Sequence, residues 1–330
     1  MGRYLVKRLM LMVPVLFVIS LVNFALYSFA PGDPVTLMMN PILATSGAGS
    51  RMTMEKLDKM IETQREIRGL NRPWYVRYVF WLGELARGNL GRSMVSKIPV
   101  SEIIGDFTWP SVQLNLLSIA LSAFLGVALG VLQAVRKYSL FDYTAAFFSF
   151  FYVSMPGFFL AMLLIYIFAL VLGWLPTSGY ETVGMPFSFW DRIRHLILPA
   201  ATLSFGGLPY IMRITRTAML EVMGEDYIRT ARAKGLSEKF VMLKHALRNC
   251  LIPVTTLVGG MIMWLFGGSV IVETVFAWPG LGLLFIRVVR ERDYPVIMGL
   301  VMISSLLSIV VILLTDVVYT MVDPRVRLER

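Results

Sequence analysis

The chain alternates between long apolar stretches and short polar ones. About six apolar stretches are long enough to cross a bilayer, over residues 9–30, 111–135, 144–172, 196–215, 251–277 and 295–320. A helix needs ~20 such residues for a hydrocarbon layer of ~30 Å. In lipid the backbone has no water to bond, so only helices or closed barrels can cross, and continuous apolar runs predict helices. The expected fold is therefore all-α, a polytopic transmembrane helical bundle. The fourth run contains Pro199, Gly206, Gly207 and Pro209 and is expected to be kinked or broken. The first follows Met1-Gly2-Arg3-Tyr4-Leu5-Val6-Lys7-Arg8, which is like the charged start of a signal peptide. Its apolar run is too long for one and leads into Pro31-Gly32-Asp33-Pro34, so it reads as a retained span.

The polar gaps set the orientation. Arg3, Lys7 and Arg8 precede the first span, Arg136 and Lys137 follow the second, and Arg213, Arg216, Arg229, Arg232, Lys234, Lys239, Lys244 and Arg248 lie between the fourth and fifth. Arg325, Arg327 and Arg330 end the chain. With six spans these fall on one side, which the positive-inside rule makes cytoplasmic, with both termini there. The gap 278–294 runs against the rule, because Arg287, Arg290 and Arg292 would lie outside, offset only in part by Glu291 and Asp293.

Composition agrees with the pattern. Of 330 residues, 57% are hydrophobic and 16% charged, against roughly 25% charged in an average soluble domain. A soluble fold could not hide that much apolar surface. The net charge of +10 could suggest nucleic acid, but the bases flank apolar runs and suit anionic headgroups better. The aromatics lie in or beside those runs and form no base-stacking platform, so no nucleic-acid partner is expected. Cys250 is the only cysteine, which excludes an intrachain disulfide and a Cys-rich metal site.

Residues 31–110 form an extracytoplasmic segment of their own. Met54 to Ile67 is highly charged, with Leu57, Met60 and Ile61 at helical spacing, and Trp74, Tyr75, Tyr78, Phe80 and Trp81 follow Pro73. That cluster fits a helix lying at the membrane interface, and equally ordinary packing on the spans.

The stretch 213–250 is the most informative. Glu225 to Lys234 has acids at its start and bases toward its end, the order that complements a helix dipole. Gly235 stands where a left-handed residue would stop that helix. Ser237 is placed to cap a second one, with Leu236 and Val241 spaced as a hydrophobic staple. The expected product is a rigid helical elbow, with Ala231 and Ala233 allowing close approach and Arg229, Arg232 and Lys234 offering charge. A partner gripping such an elbow could move the adjoining spans as bodies. Charge alone does not distinguish this lever from an ordinary basic cytoplasmic loop.

Glu225-Asp226-Tyr227-Ile228-Arg229-Thr230-Ala231-Arg232-Ala233-Lys234-Gly235 resembles the coupling-loop motif of permease subunits of bacterial ABC importers. His245-Ala246-Leu247-Arg248-Asn249 and Val272-Glu273-Thr274-Val275-Phe276-Ala277-Trp278-Pro279-Gly280-Leu281-Gly282 are similar to the branch that imports dipeptides, oligopeptides and nickel. Arg292-Asp293-Tyr294-Pro295 and Val322-Asp323-Pro324-Arg325 agree. Pro31-Gly32-Asp33-Pro34 and Gly88-Asn89-Leu90-Gly91-Arg92-Ser93 resemble the first of that system's two permeases. The likeness covers essentially the whole chain. Two departures, Arg229-Thr230-Ala231 for the general Glu-Ala-Ala and His245 and Arg248 for an apolar residue and a proline, are usual in the peptide branch. They put contacts carried over from sugar importers in doubt.

The resemblance implies a type I ABC importer permease fold in the inner membrane. Residues 1–30 would be an N-terminal span, 31–110 the outer segment, and 111–330 the core permease domain with coupling loop 213–250. It implies a machine of two homologous permeases, two ATP-binding subunits and an extracytoplasmic substrate-binding protein. The elbow residues Glu225, Asp226, Tyr227, Arg229, Thr230, Ala231, Arg232, Ala233, Lys234 and Gly235 would dock into a cleft on the ATP-binding subunit. The chain has no G-x-x-x-x-G-K-[ST] loop, so it is expected to bind no cofactor, with ATP and Mg on partner subunits. Dipeptides or short oligopeptides are the implied cargo, with nickel chelates, glutathione-like peptides and oligosaccharides still open.

Polar groups in or near spans are candidates for lining a pathway: Asn23, Gln113, Asn115, Thr256, Glu273 and Asp316. Glu273 and Asp316 lie near span ends, where interfacial solvation or a structural ion pair explains them equally. Gly259, Gly260, Gly267 and Gly268 fit close helix packing or a pore wall. No catalytic or metal site is expected. His195 and His245 lie on different loops, no H-E-x-x-H or G-x-S-x-G motif occurs, and the 21 methionines suit flexible packing. A self-sufficient secondary transporter would be expected to show inverted repeats and midplane charges, and neither is clear. A membrane enzyme would need a paired catalytic constellation, which is lacking.

Overall fold

A computed structural model describes residues 2–29, 59, 62–63, 65, 71–262 and 265–322, with side chains from 10 to 315 within that set. The expectations for Pro31 to Pro34, for Leu57, Met60 and Ile61, for the side chain of Asp316 and for residues 323–330 lie outside it. The described residues are almost all helical. Helices α1 (Gly2–Phe29), α2 (Trp74–Ala86), α3 (Val100–Val135) and α4 (Leu140–Ser154) come first. Next are α5 (Gly157–Leu164), which continues in wider π-helical turns over Ile165–Val171, and α6 (Phe189–Gly224). The chain then forms α7 (Asp226–Ala233), the short α8 (Glu238–Phe240), π-helical turns over Val241–Ala246, and α9 (Leu247–Ile262). It ends with α10 (Val270–Val275), α11 (Leu281–Glu291) and α12 (Tyr294–Val322).

Four helices are long and apolar enough to span a membrane alone, over Met10–Phe29, Val100–Val135, Phe189–Gly224 and Tyr294–Thr315. The bent pair Leu140–Ser154 and Gly157–Val171 is long and apolar enough only when its halves are taken together, as one broken span or a re-entrant loop. Three sequence expectations meet a different outcome. The run 144–172 is bent by 112°, because Pro156 disfavours the helical conformation for the residue before it and Met155 is extended at φ −88°, ψ 129°. The run 196–215 forms one unbroken 36-residue helix despite Pro199 and Pro209. The run 251–277 is divided: α9 is 16 residues long, and a turn with Gly268 at φ +63° separates it from α10.

The chain divides into two compact units, residues 1–106 with 285–306, and residues 107–284 with 307–330. In the first, Phe24 of α1, Tyr78 of α2 and Met298 of α12 form a buried cluster. The Ser20 and Tyr78 hydroxyls hydrogen-bond at 2.8 Å, and the Asn23 side-chain amide donates to the Met298 carbonyl at 3.0 Å. Asn23, a pathway candidate from sequence, thus bonds within this cluster. The buried Asp293 carboxylate accepts from the Ser93 hydroxyl and, at 2.9 Å, from the Met94 amide. This pair joins the Gly88–Ser93 and Arg292–Pro295 motifs.

In the second unit, α3 crosses α6 at close range. A Cβ on Gly126 would lie 2.8 Å from Ile211 Cβ, and one on Gly130 would lie 2.6 Å from the Met212 carbonyl oxygen. These two glycines, four residues apart, let the backbones approach as small residues do in membrane helix pairs. The Ser122 hydroxyl adds a 2.7 Å bond to the Ser204 carbonyl.

Candidate functional site

The elbow forms as its sequence requires. Helix α7 starts after Glu225, carries Asp226 in its first turn and Arg232 in its last, and ends at Lys234. Gly235 has φ +75°. The Gly235 amide donates to the Arg232 carbonyl at 2.9 Å and the Leu236 amide to the Ala231 carbonyl at 3.4 Å. This is the Schellman pair of bonds that satisfies the last carbonyls of a helix. No atom would lie within 4 Å of a Cβ on Gly235, so the left-handed backbone, and not lack of space, is what favours glycine there. Ser237 precedes α8 as expected, but its side chain makes no capping bond.

The elbow rests on an apolar base. Ile228 and Ala231, one turn apart on α7, are buried with Ala134 of α3, Ala218 and Met219 of α6, Val241, Ala246 and Cys250. Ile228 is fully covered, and burying a side chain of that size contributes ~2 kcal/mol. Ala231, expected from sequence to permit close approach of a partner, faces this base, so its small size serves packing inside the chain. Ala233 remains exposed, together with Glu225, Asp226, Tyr227, Arg229, Thr230, Arg232, Lys234 and Gly235.

Three polar contacts lie on the exposed face of the elbow. Arg232 Nε meets Glu238 Oε1 at 2.8 Å across the glycine turn. The Asn249 side-chain amide donates to the Tyr227 hydroxyl at 2.8 Å, tying α7 to α9. Arg229 Nη1 lies 3.5 Å from Asp226 Oδ1. Sequence reasoning passed over Ile228, Glu238 and Asn249 as parts of the elbow. The hydrophobic spacing of Ile228 and Ala231 was available to find the first of them.

A second anchor lies on the helix that leads into the elbow. The buried Asp142 carboxylate receives Arg216 Nε at 2.8 Å and Nη2 at 2.7 Å. It also accepts from the Tyr138 amide at 3.0 Å and the Gln133 side-chain amide at 3.3 Å. The α3–α4 turn is thereby fixed to α6 two turns before α6 ends. Nothing in the sequence pairs residues 74 positions apart, so this contact was not foreseen.

Several of the pathway candidates are hydrogen-bonded within the chain. Glu273 is fully buried. Its Oε1 accepts from the Ser111 hydroxyl at 2.9 Å and the Ser269 amide at 3.1 Å, and its Oε2 from the Gly282 amide at 2.7 Å and the Leu283 amide at 3.0 Å. Four donors satisfy the carboxylate, at the start of α11, where the helix dipole favours negative charge. A Cβ on Gly280 would strike the Glu273 carboxyl and the Ser111 hydroxyl. Trp278, also fully buried, donates its indole N–H to the Pro110 carbonyl at 2.9 Å. Gln113 Oε1 accepts from the Tyr180 hydroxyl at 2.9 Å, and the Asn115 amide donates to the Leu265 carbonyl at 3.0 Å. Tyr180 lies over Trp278 edge to face, and burial raises its phenol above the ordinary value. Thr256 is exposed on α9, and Asp316 lies on α12 beyond the described side chains. No group of three metal-ligating side chains occurs among the described residues.

Residues 126–328 match the family described as binding-protein-dependent transport system inner membrane component. Over 327 residues the chain is 43% identical to the oligopeptide transport system permease protein AppB of Bacillus subtilis, covering 99% of each chain. It is 38% identical to the glutathione transport system permease protein GsiC of Escherichia coli K12, again covering 99% of each. Its fold is similar to a chain of the MetNI methionine ABC transporter in an inward-facing conformation, with TM-score 0.53 and 18% identity, covering 67% of this chain and 96% of that one.

Proposed function

The chain belongs to the inner membrane components of binding-protein-dependent transport systems, and from that premise we propose that it forms half of the pathway by which an ATP-driven importer admits dipeptides or short oligopeptides. A second, homologous permease supplies the other half. Two ATP-binding subunits hold ATP and Mg, and an extracytoplasmic binding protein selects and delivers the cargo. The chain itself acts as a lever and conduit, binding no cofactor and catalysing no reaction.

The observation that carries the proposal is the elbow at 225–238. It is rigid through its Schellman turn and its buried base, and its other face is exposed and polar. In this reading that face seats on an ATP-binding subunit on the cytoplasmic side. Closure of the ATP-binding pair pushes α7. Because Ile228 is keyed into α6 and α9, and Arg216 fixes α6 to the α3–α4 turn, the push moves those spans together and switches the pathway between outward and inward openings.

Short peptides are favoured by the 43% identical relative, which belongs to an oligopeptide transport system. A γ-linked tripeptide of the glutathione kind is the second reading, favoured by the relative at 38% identity. Both are tested by reconstituting the importer with its binding protein in liposomes and measuring uptake of labelled di-, tri- and tetrapeptides and of glutathione. ATP-dependent accumulation of one class assigns the cargo, and ATP-independent accumulation defeats the coupling reading.

A further inference from the structure

A groove of about 370 Å³ runs between α4 and α6, with unlike ends. One end carries Tyr138, Tyr143, Arg213 and the Arg216–Asp142 pair; the other is apolar, walled by Phe150, Val153 and Pro209. Helix α6 is long and apolar enough to span a membrane, and α4 is apolar enough as half of the bent pair; with both in the bilayer, the apolar end lies along the hydrocarbon and the polar end toward an interface. Several of its aromatic residues are exposed: Tyr138, Tyr143, Phe150 and Tyr210 are each at least half accessible. Arg216 is neutralised by Asp142, whereas Arg213, one turn earlier, lies over the Tyr210 ring at 5.9 Å and has no carboxylate partner among the described residues. Lys137 stands over Tyr138 at 4.7 Å beside the same end. The groove therefore offers uncompensated positive charge and tyrosine hydroxyls at its mouth and a hydrocarbon-lined trough beyond.

We propose that this groove is a binding site for one anionic phospholipid, its phosphate held at Arg213 and the tyrosine hydroxyls and one acyl chain lying along Phe150 and Val153. Charge complementarity selects the occupant. A zwitterionic lipid carries a compensating cation against Arg213, and a peptide segment would leave backbone polar groups unsatisfied along the apolar wall. The site adjoins the contact that fixes α6 to the α3–α4 turn, so the bound lipid braces the base of the elbow. The proposal needs only that α4 and α6 lie in the membrane, and does not depend on whether the elbow docks an ATPase.

The test uses the intact importer in nanodiscs of phosphatidylcholine with a minor fraction of diazirine-labelled phosphatidylglycerol. After irradiation, labelled peptides are mapped by mass spectrometry. Labelling is expected on 138–153 and 209–216, falling about five-fold in Arg213→Gln, the factor for one basic residue at an anionic surface. It should also be lost in Val153→Trp, which fills the trough without touching the charge. An equally labelled phosphatidylcholine probe should give little signal there. Equal labelling by both lipids, or labelling unchanged in both variants, would overturn the proposal and leave only ordinary annular lipid. Absence of label with cross-links from these segments to the second permease would overturn it in favour of a subunit interface.

Discussion

Arg216 and Asp142 meet side by side, two nitrogens on two oxygens at 2.8 and 2.7 Å, with only 6% of the Asp142 side chain exposed. Bidentate pairing fixes orientation as well as distance. The pair thereby sets where α6 leaves the α3–α4 turn and where the elbow begins.

Removing one member leaves the other, partly covered, without its partner. Asp142→Ala is expected to cost ~1–3 kcal/mol, below the range for a fully buried pair because the Arg216 side chain is 28% exposed. The loss should appear as a lower thermal-unfolding midpoint of the purified complex. Arg216→Met combined with Asp142→Leu should recover much of it, because no uncompensated charge remains. Equal midpoints for the single and double variants would show that the pair carries no such role.

At Gly235 the backbone is left-handed and the surrounding space is open. A residue that tolerates this conformation should therefore work, and a β-branched one should not. Gly235→Asn is expected to keep most ATP-dependent uptake. Gly235→Val is expected to uncouple uptake from hydrolysis while the complex still assembles. Equal loss in both variants would point to space at that position and not to conformation.

The Arg232–Glu238 bridge crosses the same turn, but 38% and 63% of its two side chains are exposed. Exposed pairs contribute ~0–1 kcal/mol. Glu238→Gln should leave the unfolding midpoint of the complex nearly unchanged. A large drop would mean that the elbow relies on charge more than on its Ile228 base.

Glu273 behaves as a structural carboxylate. Glu273→Gln replaces one acceptor oxygen with an amide that faces backbone N–H groups, leaving buried donors unpaired at ~1–3 kcal/mol each. Gly280→Ala forces a methyl against the same carboxylate and should cost ~1–3 kcal/mol as overpacking. Both variants should lower yield and thermal stability of the complex without changing cargo preference. A shifted peptide preference in stable protein would return Glu273 to the pathway.

The legible features were those whose cause is local. Four apolar runs gave long helices, and the charge order and Gly235 gave the elbow; the third and fifth runs proved bent or divided, and the proline-rich fourth gave no warning that its helix would hold. Pro156 could have been read as the bend in the third run, since its effect on Met155 is short-range. Other features depend on distant partners: Asp142 with Arg216, Ser93 with Asp293, and Glu273 with Ser111. One sequence cannot reveal these pairings, so it does not show which polar residues near span ends are bonded within the chain. Ala231 shows the same limit, since its neighbours in space decide which way a small residue faces.

The most direct measurement is purification of the tagged chain from its native membrane in mild detergent, followed by identification of what accompanies it and by uptake assays in liposomes. A coupling elbow requires that a second permease and P-loop ATPases come with it, and that uptake occur only with ATP. Recovery of the chain alone, still competent for uptake in liposomes without ATP, would contradict that requirement and make this chain a self-contained carrier.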